Sequence, residues 1–165
     1  MGLILGCDPA ANFGWALVNE NVYINGGTQP FDYPTKSQIA KKGRFKGEKW
    51  LNAHNWFDKL LEETKPDLIV YEDVLQMTSR FATQSFGFFR YTIEGLAAKH
   101  KIKTVSFKPS EWRHIAFGKG KGNMKKPEVA AALHVLYPDI TFVTEDHSDA
   151  LGVAVAGSKY LASNQ

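Results

Sequence analysis

Cysteine is almost missing from this chain: Cys7 is the only one among 165 residues. No intrachain disulfide can form and no thiolate zinc cluster can assemble, which favours a reducing, intracellular setting. Long hydrophobic runs are missing too. The apolar start Leu3–Cys7 is shorter than the core of a signal peptide and has no basic residues ahead of it. Nothing approaches the roughly 20 apolar residues that cross a bilayer. A soluble, cytoplasmic protein is therefore expected. The composition, 44% hydrophobic and 22% charged, is that of an ordinary globular chain and not of a disordered one. Internal repeats are absent, and the length suits a single domain over residues 1–165 with a core of its own.

A strong excess of one charge is also lacking, since the formal net charge is only +3. What is there is a segregation of sign. Lys36, Lys41, Lys42, Arg44, Lys46 and Lys49 cluster with Glu48 as the one acid among them. A second field holds Lys99, Lys101, Lys103, Lys108, Arg113, Lys119, Lys121, Lys125 and Lys126, against Glu111. A solvated face of no special purpose would intersperse the signs. Blocks of this kind favour a polyanionic partner, nucleic acid first.

The hydrophobic pattern gives alternating strands and helices. A buried strand is expected at residues 2–8, then a hairpin strand Trp15–Val18, a turn at Asn19–Asn21, and a strand from Val22 that ends at Gly26–Gly27. Residues 28–48 lack periodicity and read as a basic loop. Helical spacing of Trp50, Ala53, Phe57, Leu60 and Leu61 predicts a helix over Lys49–Thr64, ended by Lys65-Pro66. Leu68–Tyr71 is short and continuously apolar, as a buried parallel strand would be. A long helix from Ser79 to His100 carries Ala82, Phe86, Phe89, Ile93, Leu96 and Ala97 on one face, and surplus aromatics Phe81, Phe88 and Tyr91 on another. A strand Ile102–Phe107, a short helix Glu111–Ala116, a flexible basic loop Gly118–Asn123, a helix Pro127–Leu136 and a last helix from about Glu145 to Tyr160 complete the reading. Strands in a hairpin run followed by strands alternating with helices argue for an α/β fold with a mixed sheet.

Four carboxylates stand where apolar segments surface. Asp8 closes Leu3–Cys7, Glu72 closes Leu68–Tyr71, and Asp146 and Asp149 open the apolar run Ala150–Ala156. Each has a bland explanation: Asp8-Pro9 can be only a turn, and acids at a helix start satisfy free N–H groups and the helix dipole. That accounts for one acid of the Asp146/Asp149 pair better than for both. Glu145 is an alternative partner for Asp149, His147 reads as a solvated polar residue, and alternation sends Asp73 away from Glu72. Converging carboxylates repel one another unless a cation sits among them, so the group implies Mg²⁺ or Mn²⁺. Beside the basic blocks, such acids suit two-metal phosphoryl transfer.

In its motifs the chain resembles the RuvC family of Holliday junction resolvases, within the ribonuclease H-like superfamily. Ile4-Leu5-Gly6-Cys7-Asp8-Pro9 followed by Gly14-Trp15-Ala16-Leu17-Val18 is similar to the family's first strand and hairpin. Tyr71-Glu72-Asp73-Val74 resembles its second acidic motif and Ser79–Gly95 the long helix after it, while Asp146-His147-Ser148-Asp149-Ala150-Leu151 resembles its C-terminal signature. The chain departs from the family at Ala10, where Gly is usual, and at Leu75, where an aromatic is frequent, with Met77 nearby.

The resemblance implies a ribonuclease H-like mixed five-stranded sheet flanked by helices. It implies a homodimer that binds four-way DNA junctions, nicks two opposing strands symmetrically, and leaves 5′-phosphate and 3′-hydroxyl ends. Asp8, Glu72, Asp146 and Asp149 are the expected catalytic residues and ligands of Mg²⁺, with Mn²⁺ able to substitute. Asp8 and Glu72 would share one ion, Asp8 and Asp149 the second, with Asp146 assisting. DNA contacts are expected from Lys41, Lys42, Arg44, Lys46, Leu75, Met77, Arg80, Lys108, Arg113, Lys119, Lys121 and Lys125. Phe81, Phe88 and Tyr91 would lie at the dimer interface, because the long helix runs near the two-fold axis. The rival expectations are a nuclease of the same fold acting on other branched DNA or on RNA, and a junction-binding protein without catalysis.

Overall fold

The computed structural model describes residues 2–74 and 79–164. Five strands form one sheet in the order β3-β2-β1-β4-β5: β1 (Leu3–Asp8), β2 (Asn12–Asn19), β3 (Val22–Pro30), β4 (Leu68–Glu72) and β5 (Lys103–Phe107). β1 and β2 are antiparallel, as are β2 and β3, whereas β4 runs parallel to β1 and β5 parallel to β4. The helices among the described residues are α1 (Lys36–Lys42), α2 (Glu48–Thr64), α3 (Arg80–His100), α4 (Pro109–Phe117), α5 (Lys126–Leu136) and α6 (Glu145–Ser163). None is long and apolar enough to cross a membrane.

Two half-cores result from period-two alternation along the strands. Leu5, Cys7, Ile69 and Tyr71 point to one face and pack with Phe57 and Leu61 of α2 and Phe89, Ile93 and Leu96 of α3. Ile4, Val18, Leu68 and Val70 point to the other and pack with α4, α5 and the Ala- and Val-rich body of α6. Helix α6 comes unusually close to the sheet, because glycine lies where it crosses. A Cβ on Gly14 would stand 2.0 Å from the Asp146 carbonyl oxygen, and one on Gly6 2.3 Å from that of Ala150. Small side chains below a helix of small side chains set the depth at which α6 lies, and so the height of the acids at its start.

Two segments differ from the sequence expectation. The first hairpin is longer, with β2 beginning at Asn12 and β3 continuing through Gly26-Gly27 to Pro30. Its connection is the two-residue turn Glu20-Asn21, both at positive φ (51° and 66°), which matches the strand twist. In the basic stretch expected to be a loop, α1 forms. Thr35 accepts from the Gln38 N–H while the Gln38 side chain accepts from the Thr35 N–H, and Gly43 closes the helix in the left-handed region at φ 64°. No residue of α1 is buried, so the helix leaves no hydrophobic period in the sequence.

Candidate active site and nucleic-acid face

Alternation that places Ile4 and Gly6 under α6 places Asp8 there also, two residues further on. In β4, Leu68 and Val70 lead in the same way to Glu72. Cys7 pairs with Tyr71 in parallel register, so Asp8 and Glu72 end neighbouring strands on one face. Helix α6 starts above them. Thr144 caps it by accepting from the His147 N–H, which leaves Asp146 and Asp149 one turn apart over the strand ends. The structure thus brings the four acids predicted from sequence into one electrostatic neighbourhood. Asp73 points the other way, to Arg90 of α3 at 3.3 Å.

The group is strained in charge. Asp8 is 8% exposed. Burial pushes its carboxyl well above the usual range, and the negative charges of Glu72, Asp149 and Asp146 push it further, against the opposing pull of Lys126. Burial likewise raises Asp149, to about 6, with Lys126 and Arg113 pulling down and Glu72 pushing up. Asp149 is 2% exposed, and its Oδ1 is buried with no hydrogen-bond partner among the described residues. Lys126 Nζ lies 3.3 Å from Asp146 Oδ1 and 3.4 Å from Asp149 Oδ2. Burial works against its charge, but Asp149, Asp8 and Asp146 more than reverse this and raise its pKa.

Such a site fits a hard divalent cation. Its donors are all oxygens, one of them is orphaned, and their repulsion is only partly relieved by one ammonium. The acids nevertheless stand apart, with Lys126 close to two of them. Among the described residues the one set of three metal-capable side chains with ligand atoms within 4.8 Å of each other is Asp58, Glu62 and His100. Those residues sit on α2 and the far end of α3, where Asp58 is already bonded to Lys99 and His100.

Three participants were not legible in the sequence. Trp112, fully buried on α4, donates its indole N–H to Glu72 Oε2 at 2.6 Å and so fixes that carboxylate. Lys126 stood only as one lysine of a basic run, next to the expected contact Lys125. His147 is not solvated but buried: Nδ1 accepts from the Val143 N–H at 3.3 Å, and Nε2 lies 3.3 Å from the Tyr23 hydroxyl. Burial lowers its pKa, so it anchors the start of α6 as a neutral ring. No spacing rule joins residues 72 and 112 or 126 and 149; only the fold does.

The expected DNA contacts fall in two groups along the fold. Lys41 and Lys42 end α1, exposed; Arg44 is paired with Glu48 at 2.6 Å; Lys46 is exposed in the following turn. Lys108 precedes α4 and Arg113 lies on it, its guanidinium 5.1 Å from the centre of the Trp112 ring and its Nε buried without a partner among the described residues. Lys119 and Lys121 are exposed in the loop before α5, Lys125 precedes that helix, and Arg80 opens α3. Asp73, Lys108, Ser110, Arg113 and Asn123 line an open cavity of about 430 Å³ beside β4. Leu75 and Met77 lie outside the described residues. Of the expected interface aromatics, Phe81 and Tyr91 are exposed, whereas Phe88 is half-buried with its ring centre 4.4 Å from that of Trp50. Packing within the chain accounts for much of the Phe88 surface.

No protein-family model matches the chain, and no curated protein matches it by sequence. Solved structures do match. Thermus thermophilus RuvC superposes with a TM-score of 0.79 at 15% identity, covering 98% of this chain and 96% of that one. The same protein in complex with a Holliday junction substrate gives 0.77 at 13% identity over the same shares. The yeast mitochondrial Holliday junction resolvase Ydc2 gives 0.64 at 14% identity, covering 96% of this chain and 78% of that one. The chain has the mixed five-stranded, helix-flanked ribonuclease H-like fold of RuvC.

Proposed function

We propose that the protein is a Mg²⁺-dependent DNA endonuclease, a Holliday junction resolvase making paired symmetric nicks in four-way junctions. The carrying observation is the buried Asp8 carboxyl, held above its ordinary range by burial and by Glu72, Asp149 and Asp146 around it. A protein that only bound DNA would gain nothing from that repulsion. The RuvC-like fold and the junction-bound state of one similar structure support the same reading.

Asp8, Glu72, Asp146 and Asp149 are assigned as the residues that hold the cation. A bound divalent ion would supply charge neutralisation at the scissile phosphate and activation of water. The chain's own residues do the rest. Trp112 orients Glu72, Lys126 offsets the negative field next to Asp146 and Asp149, and Arg113 adds positive charge on the same side. Lys41, Lys42, Arg44, Lys46, Arg80, Lys108, Lys119, Lys121 and Lys125 are assigned to the phosphates of the arms, which they would grip without reading sequence. A two-fold pair of active sites is needed for symmetric cuts, and the exposed Phe81 and Tyr91 on α3 support that helix as the dimer contact.

Asp8→Asn tests the assignment, because it keeps shape and removes one charge. The variant is expected to bind a four-way junction at least as well as the unchanged protein while losing cleavage by a factor of a hundred or more, read on end-labelled junctions. Substantial nicking at saturating Mg²⁺ would overturn the catalytic role of Asp8.

A further inference from the structure

The turn between α1 and α2 carries a phenylalanine that the fold does not use. Phe45 is 74% exposed, and no aromatic ring packs on it among the described residues. Its backbone is nevertheless held firmly. Gly43 turns the chain in the left-handed region, the Phe45 N–H donates to Glu48 Oε1 at 2.7 Å, and Arg44 Nε donates to Glu48 Oε2 at 2.6 Å. One carboxylate therefore clamps the residues on both sides of the Arg44–Phe45 peptide, and the ring stands out from a fixed base.

The neighbours of that ring are positive. Lys41 and Lys42 close α1 before it, Arg44 precedes it and Lys46 follows it, and both helix-end lysines and Lys46 are exposed. An apolar protein partner would not be met by such a field. A nucleic acid would, since phosphates satisfy the lysines while a base satisfies the ring. Two cavities connect the start of α2, just after this turn, with the chain that follows Asp8. Lys49, four residues after Phe45 and the second residue of α2, lines an apolar cavity of about 290 Å³ together with Pro9, Ala10 and Ala11, the residues that follow Asp8. The Phe31 N–H bonds to the Ala11 carbonyl, and Phe31 and Arg44 line a second cavity with Lys49.

We infer that Phe45 is a base-stacking residue, which takes an unpaired nucleobase of branched DNA onto its ring while Lys41, Lys42 and Lys46 hold the adjacent phosphates. The inference rests on the nucleic-acid reading above and deepens it. It assigns recognition of unpaired bases to a residue, whereas the lysines recognise only charge. A closed duplex offers no base face to the ring, so Phe45 contributes to branched or single-stranded DNA and not to linear duplex.

The test uses the full chain and two probes of equal length, a four-way junction with two unpaired thymines at its crossover and a linear duplex. Affinities are measured for Phe45→Ala and Phe45→Tyr in the absence of Mg²⁺ over a range of salt. Phe45→Ala is expected to weaken junction binding about 5- to 150-fold, the loss typical of one stacked base, and to leave duplex binding and the salt slope unchanged. Phe45→Tyr is expected to restore it. With 5-iodouracil in place of the unpaired thymines, photocrosslinking is expected to land on Phe45. Equal junction affinity for the Ala variant, an equal loss on duplex, or crosslinks elsewhere would overturn the stacking role. So would a change in oligomeric mass of the Ala variant, which would make Phe45 a protein contact. If the unchanged protein does not prefer the junction to the duplex, the nucleic-acid reading falls first and takes the stacking role with it.

Discussion

Lys126 stands 3.3–3.4 Å from two carboxylates of the mutually repelling group. Lys126→Ala is expected to destabilise the metal-free protein by about 1–3 kcal/mol, between the worth of an exposed and of a fully buried ion pair. It should also enlarge the rise in melting temperature on adding Mg²⁺, since the cation then meets an uncompensated field. Thermal melts with and without Mg²⁺ check both effects, and an unchanged metal response would mean that Lys126 does not share the field of the acids. Trp112→Phe removes the donor to Glu72 and is expected to lower cleavage while costing about 2 kcal/mol of stability, the range for a hydrogen bond to a charged group. Normal cleavage in that variant would show that Glu72 needs no orienting. Asp8 and Glu72 were legible in the sequence because each closes a short apolar strand, and alternation fixes the face. Trp112 and Lys126 were not, since a through-space contact between residues 40 and 23 positions from their partners leaves no local pattern.

Helix α6 determines the height of the site. It is buried from His147 to Ser158, and its start presses on β2 at Gly14, where a Cβ would stand 2.0 Å from the Asp146 carbonyl oxygen. Backbone cannot move aside there as a flexible side chain would. Gly14→Ala is therefore expected to cost at least the 1–3 kcal/mol of an overpacked core and to reduce cleavage by displacing Asp146. Gly27→Ala is the control on the neighbouring strand, where the nearest atom to the added Cβ is the Trp15 indole nitrogen at 3.6 Å. Equal melting temperatures for the two variants would contradict the tight seating of α6. The long helices and the inner strands were readable because burial writes a period into sequence. Helix α1 was not, because caps at Thr35, Gln38 and Gly43 hold it without any buried face. The outer part of the β2–β3 hairpin escaped for a related reason: Asn25, Gly26, Gly27 and Thr28 pair as a strand through backbone bonds with little hydrophobic content.

At the scale of the whole molecule, the charge separation seen in the sequence becomes a geometry. The acids that converge on Asp8 are met directly by Lys126 of α5 and Arg113 of α4, and α1 with its following turn forms a second basic segment. Binding that neutralises about six phosphates should weaken on the order of a thousandfold between 50 and 200 mM salt. A flat salt response would remove the electrostatic part of the nucleic-acid reading whatever the fold. Symmetric cutting adds a requirement that a single chain cannot meet, namely two active sites facing two strands. Cleavage of a four-way junction with each arm labelled in turn, with Mg²⁺ and again with excess chelator, tests all of this in one measurement. Paired nicks at symmetry-related positions of opposing strands, ends that a ligase reseals, and none of these in chelator are the expected result. Uncut junctions in Mg²⁺, or cuts that persist in chelator, would contradict it.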